Sequence, residues 1–416
     1  MSANVSRYLA QYKPDPMYNE EVLVENENVQ VITDKVGTKI HILGREFINL
    51  GCNNIFNIMG HADTENLAVE TIRKYGVGSC GPRGFYGTVD VHLELEQRIA
   101  DFMKMEEAVV YSYGFSTISS AIPAYCKKND VVFCDEMISF PAKQGFAASK
   151  CKVVYFKHND PEDLEARIQE FNEEHRQNVH KLKKFLILEG IYGLTGTICN
   201  LPPLIKLRSK YKMRLFIDET MSLGALGKTG RGVTEHFAVD PNEVDMIMAS
   251  LEGFVGSVGG FCVGSHFIIE HQRLSGLGYC FSASQPPCLT RIATWAFDYL
   301  DENIPRLFNK IEKKCMEMQH ILENIPNIRV KSDIRSPLKI FQFADKEGII
   351  TDPECYKKFL ELCQEDGIIV SSITDCNSHD NIRVTMNTEF TDEDMQKISK
   401  VFEKVTDQVM TYYGDK

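Results

Sequence analysis

Phe185-Leu-Ile-Leu-Glu189 and Arg214-Leu-Phe-Ile-Asp218 are two short apolar runs, each closing on a carboxylate. They are too short for helices and apolar without alternation, so they read as strands covered on both faces, as in a parallel sheet. Glu107-Ala-Val-Val-Tyr-Ser112, Val131-Val-Phe-Cys-Asp135, Val153-Val-Tyr-Phe156 and Asp245-Met-Ile-Met-Ala249 repeat the pattern. Amphipathic stretches lie between them. In His92 to Met105, for example, Leu95, Ile99, Phe102 and Met103 fall on one helical face. Strand and helix alternating from about Ile48 to Trp295 predict an α/β fold with a mostly parallel sheet and helices on both sides.

Beyond Trp295 the pattern changes. A long helix from about Pro305 to Leu322 precedes strand-like Ile328-Arg-Val330 and Leu338 to Phe343. A helix from about Asp352 to Glu365 and strands near Ile368 and Ile382 complete a smaller α+β unit. Before the alternating region, Met1 to about Glu27 is polar, carries Pro14 and Pro16, and reads as an arm. A chain of 416 residues exceeds the size at which one core keeps growing. The expected organisation is an arm at 1–47, a large domain at 48–295 and a small C-terminal domain at 296–416.

Composition excludes several classes. A net charge of −12 argues against a nucleic-acid surface, which needs clustered Lys and Arg. The basic cluster from His175-Arg176 to Lys183-Lys184 follows an acidic run and reads as a solvated helix face. The thirteen cysteines are odd in number, scattered and without a CxxC pair, which favours reduced thiols over a disulfide scaffold. No grouping suggests a metal site, and no apolar run reaches the roughly 18 to 20 residues that span a bilayer.

Two segments carry the chemistry. Gly76-Val-Gly-Ser-Cys-Gly-Pro-Arg-Gly-Phe-Tyr-Gly87 is a glycine-dense loop followed by His92-Leu-Glu-Leu-Glu96 at the opening of a helix. Such a loop can approach a ligand or another backbone closely. Met248 to Gly260 reads MASLEGFVGSVGG, with Glu252 seven positions before the first glycine of its Gly259-Gly260 pair. The full run GPRGFYGTVDVHLELE resembles the substrate-side motif of the α-oxoamine synthases, pyridoxal-phosphate (PLP) enzymes of the fold-type I, aspartate aminotransferase-like class. Within them it is most similar to the lysine-less subunits of the serine palmitoyltransferase family. YSYGFSTISSAIPAY at Tyr111 to Tyr125, GRGVTEH at Gly230 to His236 and HQRLSGLGYCFSASQPP at His271 to Pro287 extend the resemblance over most of the chain.

The resemblance implies a set of site positions. Gly114 and Phe115 match the strand-to-helix turn whose N–H groups meet the PLP phosphate, and Asp218 matches the aspartate paired with the pyridine nitrogen. Ser139 stands at the ring-stacking histidine, Met221 at a second histidine, and Glu252 at the Schiff-base lysine. A carboxylate cannot form an imine, and no lysine lies between Lys228 and Lys310. Three substitutions together imply a degenerate site with no catalytic residue in this chain, and favour a capping carboxylate as the reading of Asp218. Arg383 matches the arginine that holds the substrate carboxylate in catalytic relatives. A substrate clamp and an interface ion pair both remain open for it. Asn54 replaces an aromatic residue of many relatives.

From this the resemblance implies the non-catalytic subunit of a heterodimer. A lysine-bearing second subunit would hold PLP, with none covalently on this chain, and would condense L-serine with palmitoyl-CoA to 3-ketodihydrosphingosine in sphingolipid biosynthesis. Asn53, Cys80, Arg83, Phe85, Tyr86, Ser282 and Ser284 are the residues expected to reach outward, shaping the shared pocket and anchoring the partner's cofactor phosphate. Phe85 and Tyr86 also read as interface core. Small regulatory subunits are further expected partners. The expected location is the cytosolic face of the endoplasmic reticulum, or the cytoplasm for a chain not anchored through partners. Two alternatives remain: an active homodimeric PLP acyltransferase using Lys228 as its amine, and a regulatory scaffold that never touches substrate.

Overall fold

The computed structural model describes residues 31–177 and 179–414. The polar stretch up to about Glu27 therefore lies outside the described residues. Fourteen strands are described: β1 Lys39–Ile42, β2 Arg45–Asn49, β3 Glu107–Tyr111, β4 Val131–Asp135, β5 Lys152–Phe156, β6 Lys184–Glu189, β7 Arg214–Asp218, β8 Met246–Ser250, β9 Gly260–Gly264, β10 Ile328–Val330, β11 Leu338–Phe343, β12 Ile368–Ile369, β13 Ser371–Thr374 and β14 Asp380–Thr385. All six runs expected to be strands are strands.

The large sheet has the order β3-β9-β8-β7-β6-β4-β5. From β5 to β8 every pairing is parallel, whereas β9 runs antiparallel to both β8 and β3. Every residue of β4, β8 and β9 is buried, as a sheet covered on both faces requires. Because β4, β6, β7 and β8 run the same way, Asp135, Glu189, Asp218 and Ser250 gather at one edge of the sheet, where ligand sites of α/β sheets form. The basic cluster is not the face of one α-helix, although His180 and Lys181 lie in the short 3-10 helix Val179–Lys181. The Pro161–Glu174 helix ends before it, and Lys184 opens β6.

The C-terminal part builds the antiparallel sheet β10-β11-β14-β13. Phe341, Phe343, Phe359 and Phe402 meet beneath it. Two details differ from expectation. Residues 39–49 are no arm: β1 and β2 form a hairpin, and β2 pairs parallel with β12, burying Ile40, Ile42 and Phe47. Its turn is Leu43-Gly44, both at positive φ, a geometry usually signalled by Asn or Asp before Gly. The long helix runs from Pro287 to Asn324, starting well before Pro305. Pro305 reads as a helix start, but the buried stripe Leu300, Ile304, Leu307 and Ile311 carries the helix through it. No helix among the described residues is long and apolar enough to cross a membrane.

Candidate functional site

The structure gathers several of the predicted cofactor positions at one edge of the sheet, in two hydrogen-bonded sets. Ser139 donates its backbone N–H to Glu189 Oε1 at 2.5 Å, and Gly193 donates to Glu189 Oε2 at 2.9 Å. Glu189 and Asp218 lie directly opposite each other across β6 and β7. Asp218 Oδ1 accepts from Thr220 N (2.9 Å), Thr220 Oγ1 accepts from Ser250 N (3.0 Å), and Ser250 Oγ accepts from Glu252 N (3.1 Å). Gly114 closes the group, since a Cβ there would lie 2.3 Å from Ser250 Oγ. Only glycine lets the Gly114–Tyr125 helix start against this edge. Tyr113 gives that helix no side-chain cap, so its first N–H groups are open to an anion. Phe115 stands exposed beside Phe140, ring centroids 6.1 Å apart.

The electrostatics of this edge are acidic. Glu189, Asp218 and Glu219 are all buried, and burial pushes each carboxyl above its usual range. The charge of Asp218 raises Glu189 further. Glu219 reaches about 7 although it accepts from Val233 N and Ser222 Oγ. Glu252 is partly exposed and raised by burial. Ser139 Oγ is buried without a hydrogen-bond partner, and Met221 packs half-buried against the main core. Arg383 donates to Asn53 Oδ1 at 2.5 Å, and its guanidinium is pulled below its usual range by burial. No carboxylate pairs with it among the described residues, so no ion pair forms within the chain. A Cβ on Gly253 would lie 3.4 Å from Asn53 O, which places the Asn53–Arg383 pair beside Glu252.

The glycine loop is built differently. A Cβ on Gly87 would lie 1.9 Å from Gly81 O, and one on Gly81 2.7 Å from Phe85 O, so the two limbs touch only because both are glycines. Phe85 N and Gly87 N both donate to Pro82 O. The turn leaves Cys80 (φ 57°) and Tyr86 (φ 64°) in the left-handed region, which costs non-glycine residues energy. Phe85 and Tyr86 project outward, 66% and 102% exposed, and Cys80 is exposed as well.

Two residues expected to reach outward turn inward. Arg83 is buried, its Nη1 and Nη2 at 2.8 and 2.9 Å from the two oxygens of Glu96, its Nε on Thr88 Oγ1 at 3.0 Å. A charge this desolvated is stable only when fully paired, and Glu96 also accepts from Val110 N. Ser284 is buried too: its N donates to Gly81 O at 2.9 Å, its Oγ donates to Gly87 O at 2.5 Å, and Ser79 Oγ lies against it. Ser282 remains half-exposed and makes no side-chain hydrogen bond among the described residues, and Phe281 beside it is exposed.

Sequence reasoning missed Glu189, Glu219, Glu96 and His92. The signal for Glu189 was present, because it ends its apolar run as Asp218 does. His92 is fully buried: Nδ1 accepts from Val89 N, so Nε2 donates to Gln285 O at 2.7 Å and ties the 277–285 segment to the helix after the loop. Lys228 is exposed and lines a separate cleft with Phe308, Glu312 and Arg335. It meets none of the cofactor positions there. No disulfide joins two cysteines among the described residues. One grouping of metal-ligand atoms occurs among the described residues, Glu107, His266 and Glu270. Arg273 already lies 3.0 Å from Glu107 and 2.5 Å from Glu270 and supplies the cation.

Residues 45–402 match the family of aminotransferases of class I and II. A "Serine palmitoyltransferase 1" of Dictyostelium discoideum is 34% identical over 423 residues, covering 98% of this chain and 88% of that one. A "Long chain base biosynthesis protein 1b" of Oryza sativa subsp. japonica is 33% identical over 409 residues, covering 96% and 84%. Among solved structures, a serine palmitoyltransferase of Sphingomonas wittichii superposes with a TM-score of 0.85 over 98% of each chain at 23% identity. That likeness establishes the fold.

Proposed function

The chain belongs to the class I and II aminotransferase family and, within it, to the serine palmitoyltransferase 1 relatives, and on that premise we propose that it is the non-catalytic subunit of a heterodimeric serine palmitoyltransferase of sphingolipid biosynthesis. Glu252 carries the reading. PLP held as an imine does not fit this residue set: the Schiff-base position offers a carboxylate, Ser139 offers no ring to stack, and no lysine stands between Lys228 and Lys310. The neighbouring Glu189 and Asp218 are buried with no cation between them, their carboxyls raised by burial.

On this reading a lysine-bearing second subunit binds PLP, which supplies the electron sink for condensing L-serine with palmitoyl-CoA. This chain contributes surface. Phe85, Tyr86 and Phe281, exposed here, are buried against the partner. Cys80, Ser282 and Asn53 face the shared pocket. Arg83 and Ser284 hold the loop that presents them. Arg383, half-buried without a carboxylate, is suited to hold an anionic group by two parallel hydrogen bonds. The complex is proposed to sit on the cytosolic face of the endoplasmic reticulum, held through its partners, with small regulatory subunits among them.

The test is the PLP content of the complex purified from its native source, with borohydride trapping to locate the modified lysine. One labelled lysine per pair of chains, on the other polypeptide, is the expected result. A label on this chain overturns the reading and makes Lys228 the first residue to replace.

A further inference from the structure

A second cavity lies at the opposite edge of the large sheet. It has a volume of about 510 Å³ and is floored by Tyr125, Phe185, Phe216, Val244 and Ile268, within the range of small-ligand sites. Arg214 opens β7 at the cavity and Asp218 closes the same strand at the cofactor edge, so the two sites lie roughly 13 Å apart along the strand. The cavity is not part of the site described above.

Its lining combines exposed apolar residues with cationic ones. Phe267 stands 81% exposed on the lip, and Leu274, two turns on in the His266–Ser275 helix, is 80% exposed. Lys127, Lys183 and Arg214 also line the cavity. Asp245 is the one acid of the lining, and it is held by two arginines, Arg208 at 3.0 Å and Arg214 at 2.6 Å. Nearby Asp130 accepts from the Lys127 backbone N–H. Lys127 Nζ donates to Pro123 O, and neither Lys127 nor Lys183 has a carboxylate partner among the described residues. The protein is acidic overall, yet this lining is positive.

An apolar floor, an apolar lip and a set of under-neutralised cations match one kind of ligand. We propose that this cavity binds a single-chain amphiphile with an anionic head, a fatty-acid-type carboxylate, its tail on Phe185, Phe216 and Ile268 and its head between Lys127 and Lys183. The tail gains burial at the floor, which transfer of an alkyl chain from water favours. The head gains charge-assisted hydrogen bonds at these cations.

The test is titration of the full chain with 11-(dansylamino)undecanoate, followed by fluorescence below its micellar concentration. Laurate and 1-dodecanol serve as competitors that differ in the head. One saturable site per chain is expected, displaced by laurate at a concentration about tenfold lower than by dodecanol. Lys127→Glu with Lys183→Glu should weaken the probe about tenfold and leave dodecanol competition unchanged. Ile268→Trp, which fills the floor, should abolish the site. Non-saturable binding, or binding indifferent to both changes, overturns the proposal. Equal displacement by laurate and dodecanol overturns its anionic head. Both lysines are exposed, so the charge-reversed variant decides the question even if Ile268→Trp does not fold. The readout is binding at the far edge of the sheet, so it stands whether or not the catalytic reading does.

Discussion

The cofactor edge of the sheet and the glycine loop beside it differ in what holds them. At the cofactor edge, Glu189 and Asp218 face each other across neighbouring strands, Ser139 Oγ is buried without a hydrogen-bond partner, and Glu252 donates its backbone N–H to Ser250 Oγ. In the loop nearly every inward polar group is satisfied: Arg83 on Glu96 and Thr88, Ser284 on Gly87 and Ser79, His92 on Gln285. The acids of the first region are hydrogen-bonded but have no countercharge, and burial disfavours their charged forms, whereas the buried charge of the loop is neutralised by pairing. The difference teaches that the two neighbouring regions handle buried charge in opposite ways, the edge by raising carboxyl pKa values and the loop by an ion pair.

The sharpest way to break that contrast is to remove one side of the loop's buried ion pair. Arg83→Met alone leaves Glu96 buried with the Val110 N–H and a longer contact to Arg273, 3.9 Å away, and should cost about 3 kcal/mol in urea unfolding. Arg83→Met with Glu96→Leu should recover most of the loss. Equal loss in single and double variants would mean that the pair does not hold the loop.

A smaller effect is expected from the outward face. Phe85→Ala with Tyr86→Ala should leave the stability of the isolated chain within about 0.5 kcal/mol, because both rings are exposed. The same change should weaken heterodimer association by about tenfold or more, read by analytical ultracentrifugation. Unchanged association would locate the interface elsewhere.

The smallest effect belongs to the acids. Glu189, Asp218 and Glu219 have folded pKa values raised above those of the unfolded chain. The native state therefore binds more protons than the unfolded state between the usual carboxylate range and about pH 8, and stability falls as pH rises through that window. Asp218→Asn removes one acid and its repulsion on Glu189, and should raise stability by about 1 kcal/mol at about pH 8 with little change at about pH 5. Urea midpoints at both pH values check this. Equal shifts at both would show that the acids are not held protonated.

Much of this was legible beforehand. The six strand runs were readable because burial on both faces leaves an apolar run with no alternation. Glu252 and the missing lysines were readable because chemistry depends on residue type. The β1–β2 hairpin was not, because its Leu43-Gly44 turn lacks the usual residues and its partner strand β12 lies more than three hundred residues away. The inward turn of Arg83 was not either, since the sequence gives Glu96 no mark as its partner.

By itself, then, the sequence determined the strands of the sheet, the family resemblance and the lack of any lysine between Lys228 and Lys310, all of which follow from local pattern and residue type. Only the tertiary structure decided which side chains of the glycine loop face out and which face in. It also decided that the carboxylates of Asp135, Glu189, Asp218 and Glu219 share one buried edge, and that Lys127, Lys183 and Arg214 line one cavity with Phe185, Phe216 and Ile268. Those outcomes depend on contacts between strands and loops far apart in the chain, which no local spacing encodes.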